Sequence, residues 1–254
     1  MIEVRNLQKK FGAVHAVDGV SFIAKAGAIT GLLGPNGAGK TTSIRMIGTL
    51  IGIDGGSVAI DGVDVASEPN AARRMCGLLT DSRGLYTRMT ARENIRYYAS
   101  LRGIDAEHSE RTLARFVDWL DMKDILDRRT DGFSQGERMK VAIARALIHE
   151  PANVILDEPT NGLDVMSTRA LRELVLRLKA EGRTVLFSSH VMQEVAALCD
   201  EIVIISHGRV TAQGTREQLL AQSGKSSLED AFVALSETHE IHSGENASLR
   251  EAMS

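Results

Sequence analysis

The sequence predicts an α/β fold built on a mostly parallel sheet. Three observations predict it. Strand-like and helix-like runs alternate through the middle of the chain, as they do where parallel strands are joined by helical crossovers. Two of the runs, residues 153–156 (NVIL) and 184–187 (TVLF), are apolar after their first residue, as strands buried on both faces are. A third, residues 28–33, runs into a glycine-rich turn that is followed at once by a helical pattern over residues 40–50.

Each element has a local reason. Residues 2–4 and 58–60 are short β-like runs, and residues 76–80 read as another strand. Thr90-Ala91-Arg92-Glu93 has the spacing of a capping box and opens a helix to about Arg102. Residues 110–120 place Leu113, Phe116, Val117 and Leu120 on one helical face. Ser134-Gln135-Gly136-Glu137 is a second capping box, opening a helix through Met139, Val141, Ala142 and Ala146. Pro151 lies just past its end. The stretch 86–131 is mostly helical and suits a separate subdomain. Residues 236–254 are polar and poor in large apolar groups, which predicts a loose tail. No internal repeat is present.

Composition narrows the function. The chain has 254 residues, enough for one large domain or a domain with a small appendage, and its 43% apolar content is ample for a core. Net charge is −3, without the basic footprint of a nucleic-acid binder, so no nucleic-acid partner is expected. Cys76 and Cys199 are far apart and not in metal-ligand spacing, as small hydrophobes of a reduced cytosolic protein would be. The N-terminus reads as a strand leading to a basic turn and not as a signal peptide. Apolar runs such as 154–156 and 202–205 are too short to cross a bilayer, so a membrane role must come through a partner.

Two motifs carry chemistry. Gly34-Pro35-Asn36-Gly37-Ala38-Gly39-Lys40-Thr41 fits G-x-x-x-x-G-K-[ST] between a predicted strand and a predicted helix. The glycines let backbone N–H groups turn toward phosphate oxygens, and the helix start adds its positive dipole end. Lys40 can reach the β- and γ-phosphates of ATP, and Thr41 offers a hydroxyl to Mg²⁺. Further on, Val154-Ile155-Leu156-Asp157-Glu158 is an apolar strand ending in two carboxylates. Asp157 is the expected Mg²⁺ holder. Glu158 is expected to orient or deprotonate the attacking water.

With these motifs the chain, over residues 2–214, resembles the ABC ATPase family. Phe11 resembles the aromatic that stacks on adenine. Phe133-Ser134-Gln135-Gly136-Glu137 resembles the family's signature, normally Leu-Ser-Gly-Gly-Gln, and Asn161-Gly162-Leu163-Asp164 its D-loop. Ser188-Ser189-His190 resembles the switch-histidine segment, and residues 77–94 the stretch around the Q-loop. The resemblance implies a P-loop NTPase core, an N-terminal antiparallel β subdomain and a helical signature subdomain at about residues 86–150. The ATPase domain would span residues 1–225, with a C-terminal helix and polar tail at 226–254. It also implies a head-to-tail dimer with a second ATPase subunit, identical or not. Residues 34–42, Thr42 included, would hold ATP, and Ser134 and Gly136 of one subunit would face the γ-phosphate held by Lys40 of the other. His190 would join Lys40 and Glu158 in catalysis. A capping-box helix start suits that role, because its free N–H groups point at an anion.

The chain departs from the family pattern at three places. Gln135 stands for the first signature Gly, and Glu137 for Gln. At the Q-loop, alignment on Gly77 and Gly84 puts Asp81 where the family has Gln. Asp81 is expected to keep a metal role, with Arg83 offsetting its charge. The resemblance places the docking site of a membrane-spanning permease here, with Tyr86, Met89, Tyr97, Tyr98 and Leu101 as candidate contacts or, alternatively, core residues. Arg-Gly-Leu-Tyr at 83–86, Thr-Ala-Arg-Glu-Asn at 90–94 and Ser227-Leu228-Glu229-Asp230-Ala231-Phe232 are similar to the sodium- and drug-exporting branch. The expected protein is an exporter's ATPase at the cytoplasmic face of the membrane. The alternative is an ABC ATPase that acts on a macromolecular complex without a transporter.

Overall fold

A computed structural model describes residues 1–80 and 84–236. Asp81 and Arg83, and the tail beyond residue 236, lie outside the described residues. The first half of the chain forms β1 (Ile2–Phe11), β2 (Val14–Ala24), β3 (Ile29–Leu33), α1 (Lys40–Ile47), β4 (Gly55–Ile60), β5 (Val63–Asp64), α2 (Pro69–Met75), β6 (Cys76–Leu79), α3 (Ala91–Leu101) and α4 (Ala106–Trp119). There follow α5 (Gln135–Leu147), β7 (Asn153–Asp157), α6 (Val165–Ala180), β8 (Thr184–Ser189), α7 (Met192–Leu198), β9 (Glu201–Ser206), β10 (Arg209–Gly214) and α8 (Arg216–Ser223). Residues 228–236 are also helical.

The expected α/β fold with a mostly parallel sheet is present. Six strands run in the order β10-β9-β3-β8-β7-β6, and only the β10–β9 pair is antiparallel. The N-terminal antiparallel subdomain is a second sheet, β2-β1-β4-β5. Residues 2–4 are the start of a strand that continues to Phe11 across register shifts in its pairing with β2. The helix after the glycine-rich turn stops at Ile47, three residues before the expected end. Gly48 caps it and Thr49 turns to φ 58°, a left-handed geometry no helix continues through.

Strand pleating sorts the core into layers. Leu32, Ile155, Leu186, Val203 and Ile205 point toward α1 and the antiparallel sheet, where Ile2, Val4, Leu7 and Val58 meet them. Val154, Leu156, Val185 and Phe187 point to the opposite face, toward α5 and α6. Leu33, Ile202 and Ile204 carry a third cluster formed with Leu219, Leu228 and Ala231 near the end of the described chain. Each fully buried large aliphatic side chain contributes about 2 kcal/mol of burial. Cys76 is buried, and burial pushes its thiol up to about 12. Cys199 is half-buried, and burial pushes its thiol up as well.

Both predicted capping boxes form. Thr90 accepts from Glu93 N while Glu93 accepts from Thr90 N; Ser134 and Glu137 do the same at the start of α5. Asn94, buried on α3, accepts from Tyr86 N at 2.9 Å and donates to Tyr86 O at 3.1 Å. That clamp fixes the chain just after residues 81–83. Tyr86, Tyr97 and Leu101 are exposed, while Met89 and Tyr98 are half-buried. Tyr97 meets both Tyr86 and Tyr98 edge to face, and the Arg145 guanidinium lies 4.5 Å from the Tyr98 ring.

Candidate active site

Parallel pairing brings three strand ends together. Leu33 of β3 lies beside Ser189 of β8, and Ser188 lies beside Asp157 of β7. The glycine-rich turn, the two carboxylates and His190 therefore emerge side by side at the carboxyl edge of the sheet, where open α/β sheets bind ligands.

The turn is shaped by what it cannot hold. A Cβ on Gly34 would lie 2.3 Å from Ile205 O. One on Gly39 would lie 2.5 Å from Ala16 O, and Gly39 sits at φ 103°, open only to glycine. Gly39 caps α1 without a side-chain partner, so the first N–H groups of the helix face the loop. Asn36 through Thr42 line a cleft of about 220 Å³ together with Ala16, Glu158 and Asn161. Phe11, 53% exposed, stands at the tip of the β1–β2 hairpin that also carries Ala16.

Charge is concentrated on the cleft floor. Lys40 is 5% exposed; its ammonium donates to Gly34 O at 2.7 Å and Pro35 O at 3.1 Å, and lies 3.2 Å from Glu158 Oε1. Thr41 Oγ1 donates to Asp157 Oδ1 at 3.2 Å, and Ser188 Oγ donates to the same oxygen at 2.7 Å. Glu158 N donates to Ser188 Oγ at 2.9 Å, which holds Glu158 at φ 45°, an uncommon geometry for a non-glycine residue. His190 Nδ1 lies 2.8 Å from Glu158 Oε2. A carboxylate only accepts, so Nδ1 carries the proton and Nε2 is left to meet a ligand.

The expected site residues thus fall into two groups. Lys40, Thr41, Asp157, Glu158 and His190 converge. Ser134 and Gly136 do not line this cleft; they begin α5, with Ser134 exposed. A Cβ on Gly136 would lie 2.6 Å from Ser167 Oγ, so a side chain there would displace the Ser167 hydroxyl from its place beside Asp164. Gln135 donates to Asn161 O at 3.1 Å, which joins the start of α5 to the segment after Glu158. Asp164 caps α6 through Ser167 N and Ser167 Oγ, and these hydrogen bonds hold its carboxyl below the usual range. The expectation for Asp81 lies outside the described residues.

The donor set fits a hard cation. Thr41 and Asp157 present adjacent oxygens, one hydroxyl and one carboxylate. That is the pattern of Mg²⁺ bound through few protein oxygens plus phosphate and water. Sequence reasoning missed Ser188 as a partner of both carboxylate residues, and also Ala16, Thr160 and Glu194. Thr160 Oγ1 donates to Glu194 Oε2 at 2.6 Å, and Ser189 Oγ donates to it at 3.0 Å.

Comparison with known proteins agrees with this fold and cleft. The model of the ABC transporter family matches residues 17–161, and the chain belongs to that family. It binds ATP and is an ATPase of the ABC type. The ABC transporter ATP-binding protein NatA of Bacillus subtilis is 42% identical over 231 residues, 91% of this chain and 94% of that protein. The daunorubicin/doxorubicin resistance ATP-binding protein DrrA of Streptomyces peucetius is 36% identical over 89% of this chain and 69% of its own length. A solved ATP-binding subunit of an ABC transporter superposes with a TM-score of 0.86 at 32% identity, covering 92% of this chain and 99% of that one. A dimeric ATP-binding cassette in a post-hydrolysis state, bound to ADP and Pi, shares the fold with a TM-score of 0.77 at 24% identity over 85% of this chain and 98% of that one.

Proposed function

We propose that this ATPase works from the cytoplasmic face of the membrane on a separate membrane-spanning permease, and that it powers export. No helix of the described residues is long and apolar enough to cross a membrane, so the transport path would belong to a partner. Export is favoured by relatives named for drug resistance, linearmycin resistance and Nod factor export. The exposed Tyr86, Tyr97 and Leu101, with Tyr86 held by Asn94 and Gly84 by Arg145, are the proposed contact with the permease.

The observation that carries the mechanism is the convergence of Lys40, Thr41, Asp157, Glu158 and His190 at one sheet edge. ATP phosphates would take the N–H groups of residues 36–42 and the Lys40 ammonium, with Phe11 against the adenine. Mg²⁺, when bound at Thr41 and Asp157, supplies positive charge to the phosphates. Glu158 would take the proton of the attacking water, and His190 would hold Glu158 through Nδ1 while Nε2 meets the γ-phosphate. Ser134 and Gly136 would complete the site from a second ATPase subunit, identical or related. ATP then favours the closed pair and hydrolysis releases it, by differential binding of the two states. The test is co-purification from membranes with the candidate permease, followed by assay of ATP hydrolysis. Retention on the membrane and a permease-dependent change in hydrolysis are expected; a chain that stays wholly in the soluble fraction with its permease present refutes the assignment.

A further inference from the structure

We propose that Glu194 is a positioning residue that sets His190 against Glu158. Glu194 lies on α7 and is 7% exposed, on the same turn as Val195 and one turn from Leu198, both buried in the core. A carboxylate on an apolar helix face is costly unless its oxygens are satisfied, and a Leu or Met would fill the same volume at lower cost. Glu194 Oε2 accepts two hydroxyls, from Thr160 at 2.6 Å and from Ser189 at 3.0 Å. Both are themselves buried. Thr160 follows Glu158 by two residues, and Ser189 immediately precedes His190. A single oxygen atom therefore joins the segment that carries the acid to the segment that carries the imidazole.

The tie sits where the sheet no longer helps. The β7–β8 ladder ends at Asp157 and Ser188, so neither Glu158 nor His190 is held by strand pairing. Glu158 is anchored by its N–H to Ser188 Oγ. On the His190 side, Ser189 Oγ accepts from Val191 N at 3.0 Å and donates to Glu194. The Ser189 hydroxyl thus fixes both flanks of His190, and Glu194 fixes the Ser189 hydroxyl. Loss of Glu194 leaves the 2.8 Å contact between His190 and Glu158 with the Glu158 N–H to Ser188 bond as its remaining cross-segment tie. The hydrogen bonds of Glu194 go to Thr160 and Ser189 and not to the phosphate loop, so nucleotide affinity is not its business.

The inference rests on Glu158 and His190 acting together in hydrolysis, which Glu158→Gln tests directly. If Glu158→Gln hydrolyses ATP like the unaltered chain, that pairing fails first and the two failures stay distinct. The experiment measures steady-state Mg-ATP hydrolysis and thermal melting of the full chain for Glu194→Ala, Glu194→Gln and Thr160→Val. Glu194→Ala is expected to lower kcat about a hundredfold, the scale of a small misplacement of reacting groups. Its KM for ATP should stay within about twofold, because ground-state contacts are untouched. Gln also offers an oxygen to both hydroxyls, so Glu194→Gln should keep kcat within about threefold. Thr160→Val, nearly equal in shape, leaves Glu194 the Ser189 hydroxyl; it should lower kcat about tenfold with melting lowered by no more than a few degrees, and it carries the test if Glu194→Ala does not fold. Unchanged kcat in Thr160→Val or in folded Glu194→Ala overturns the proposal. So does a Gln variant as impaired as Ala, or a loss of kcat that rises and falls with KM and melting.

Discussion

The strand-end cluster and the start of α5 are both proposed to meet phosphate, yet they are built in opposite ways. In the cluster, Lys40, Asp157 and Glu158 are 5%, 1% and 9% exposed; hydrogen bonds to Ser188 fix Asp157 and Glu158 to a strand paired on both sides, and Lys40 is held by the loop carbonyls of Gly34 and Pro35. At the start of α5, Ser134 and Gln135 are exposed and held by a capping box, whose two bonds close within four residues. The first region obtains its precision from the sheet, and the second presents a helix end outward. The difference teaches that one chain assembles loop, carboxylates and imidazole alone but holds the start of α5 away from that cleft. That arrangement supports the proposed pairing of complementary halves on two chains.

The largest expected effect removes the base and leaves the cluster's shape. In Glu158→Gln, the amide oxygen still accepts from His190, but the group no longer takes a proton. Turnover should fall about a thousandfold, within the range of general-base losses, while ATP still binds. A stable ATP-bound dimer should accumulate and be visible by size-exclusion chromatography. Rapid turnover in the variant would break the account of the first region.

The next effect concerns how the far end of α5 is fixed. Just past that helix, His149 Nε2 donates to Cys76 O at 2.9 Å, while Nδ1 is buried without a hydrogen-bond partner. Burial, with the nearby Arg102 charge adding to it, pushes the imidazole down to about 4 from its ordinary 6.5. Because the folded value is depressed, the unfolded chain takes the proton first as pH falls. The His149 contribution is therefore complete above about pH 6.5 and is lost progressively toward about pH 4, for a total of about 3 kcal/mol. Urea midpoints of the unaltered chain and of His149→Gln, compared across that window, should converge as pH falls. Parallel pH slopes would show that this end of α5 is not anchored by a neutral ring.

A smaller effect should separate the two halves. Asp caps a helix as well as Ser does, so Ser134→Asp keeps α5 intact and adds a negative charge where a phosphate would approach. Turnover is expected to fall about a hundredfold, on the scale of losing a preorganised anion site. ATP affinity of the single chain should not change. Mixing Ser134→Asp with Lys40→Ala should recover activity, because one of the two composite sites is then unaltered in both halves. Absence of recovery, or loss of single-chain affinity, would place Ser134 in the same site as Lys40 of its own chain.

Legibility in the sequence follows the range of the interactions. The glycine-rich turn, the Asp157-Glu158 pair and both capping boxes close within a few residues, so residue spacing alone revealed them. The β2 and β10 strands were not foreseen. β2 interrupts its pairing with β1 at several points and carries Gly19 at φ 85°, so it lacks a clean period-two pattern. Ser188 and Glu194 were missed as partners because Asp157 meets Ser188, and Thr160 meets Glu194, only after β7 and β8 pair. Signals for them did exist. Two serines end an otherwise apolar strand, and Glu194 stands on an apolar helical face beside Val195 and Leu198.

The smallest expected effect lies at a point where the start of α5 touches the segment after Glu158. Gln135 donates to Asn161 O, and its amide lies against Gly162, where a Cβ would come within 2.4 Å of Gln135 Nε2. The bond is exposed and of ordinary length, so Gln135→Gly should cost about 1 kcal/mol or less in urea unfolding. Turnover should change by less than about threefold if the start of α5 acts on a partner's phosphates, since the contact then only steadies a helix end within its own chain. A loss beyond about tenfold with stability intact would mean that Gln135 transmits force through Asn161 to Glu158 in the same chain. The strand-end cluster and the start of α5 would then be one unit, and the distinction between a self-contained half and an outward-facing half would have to be given up.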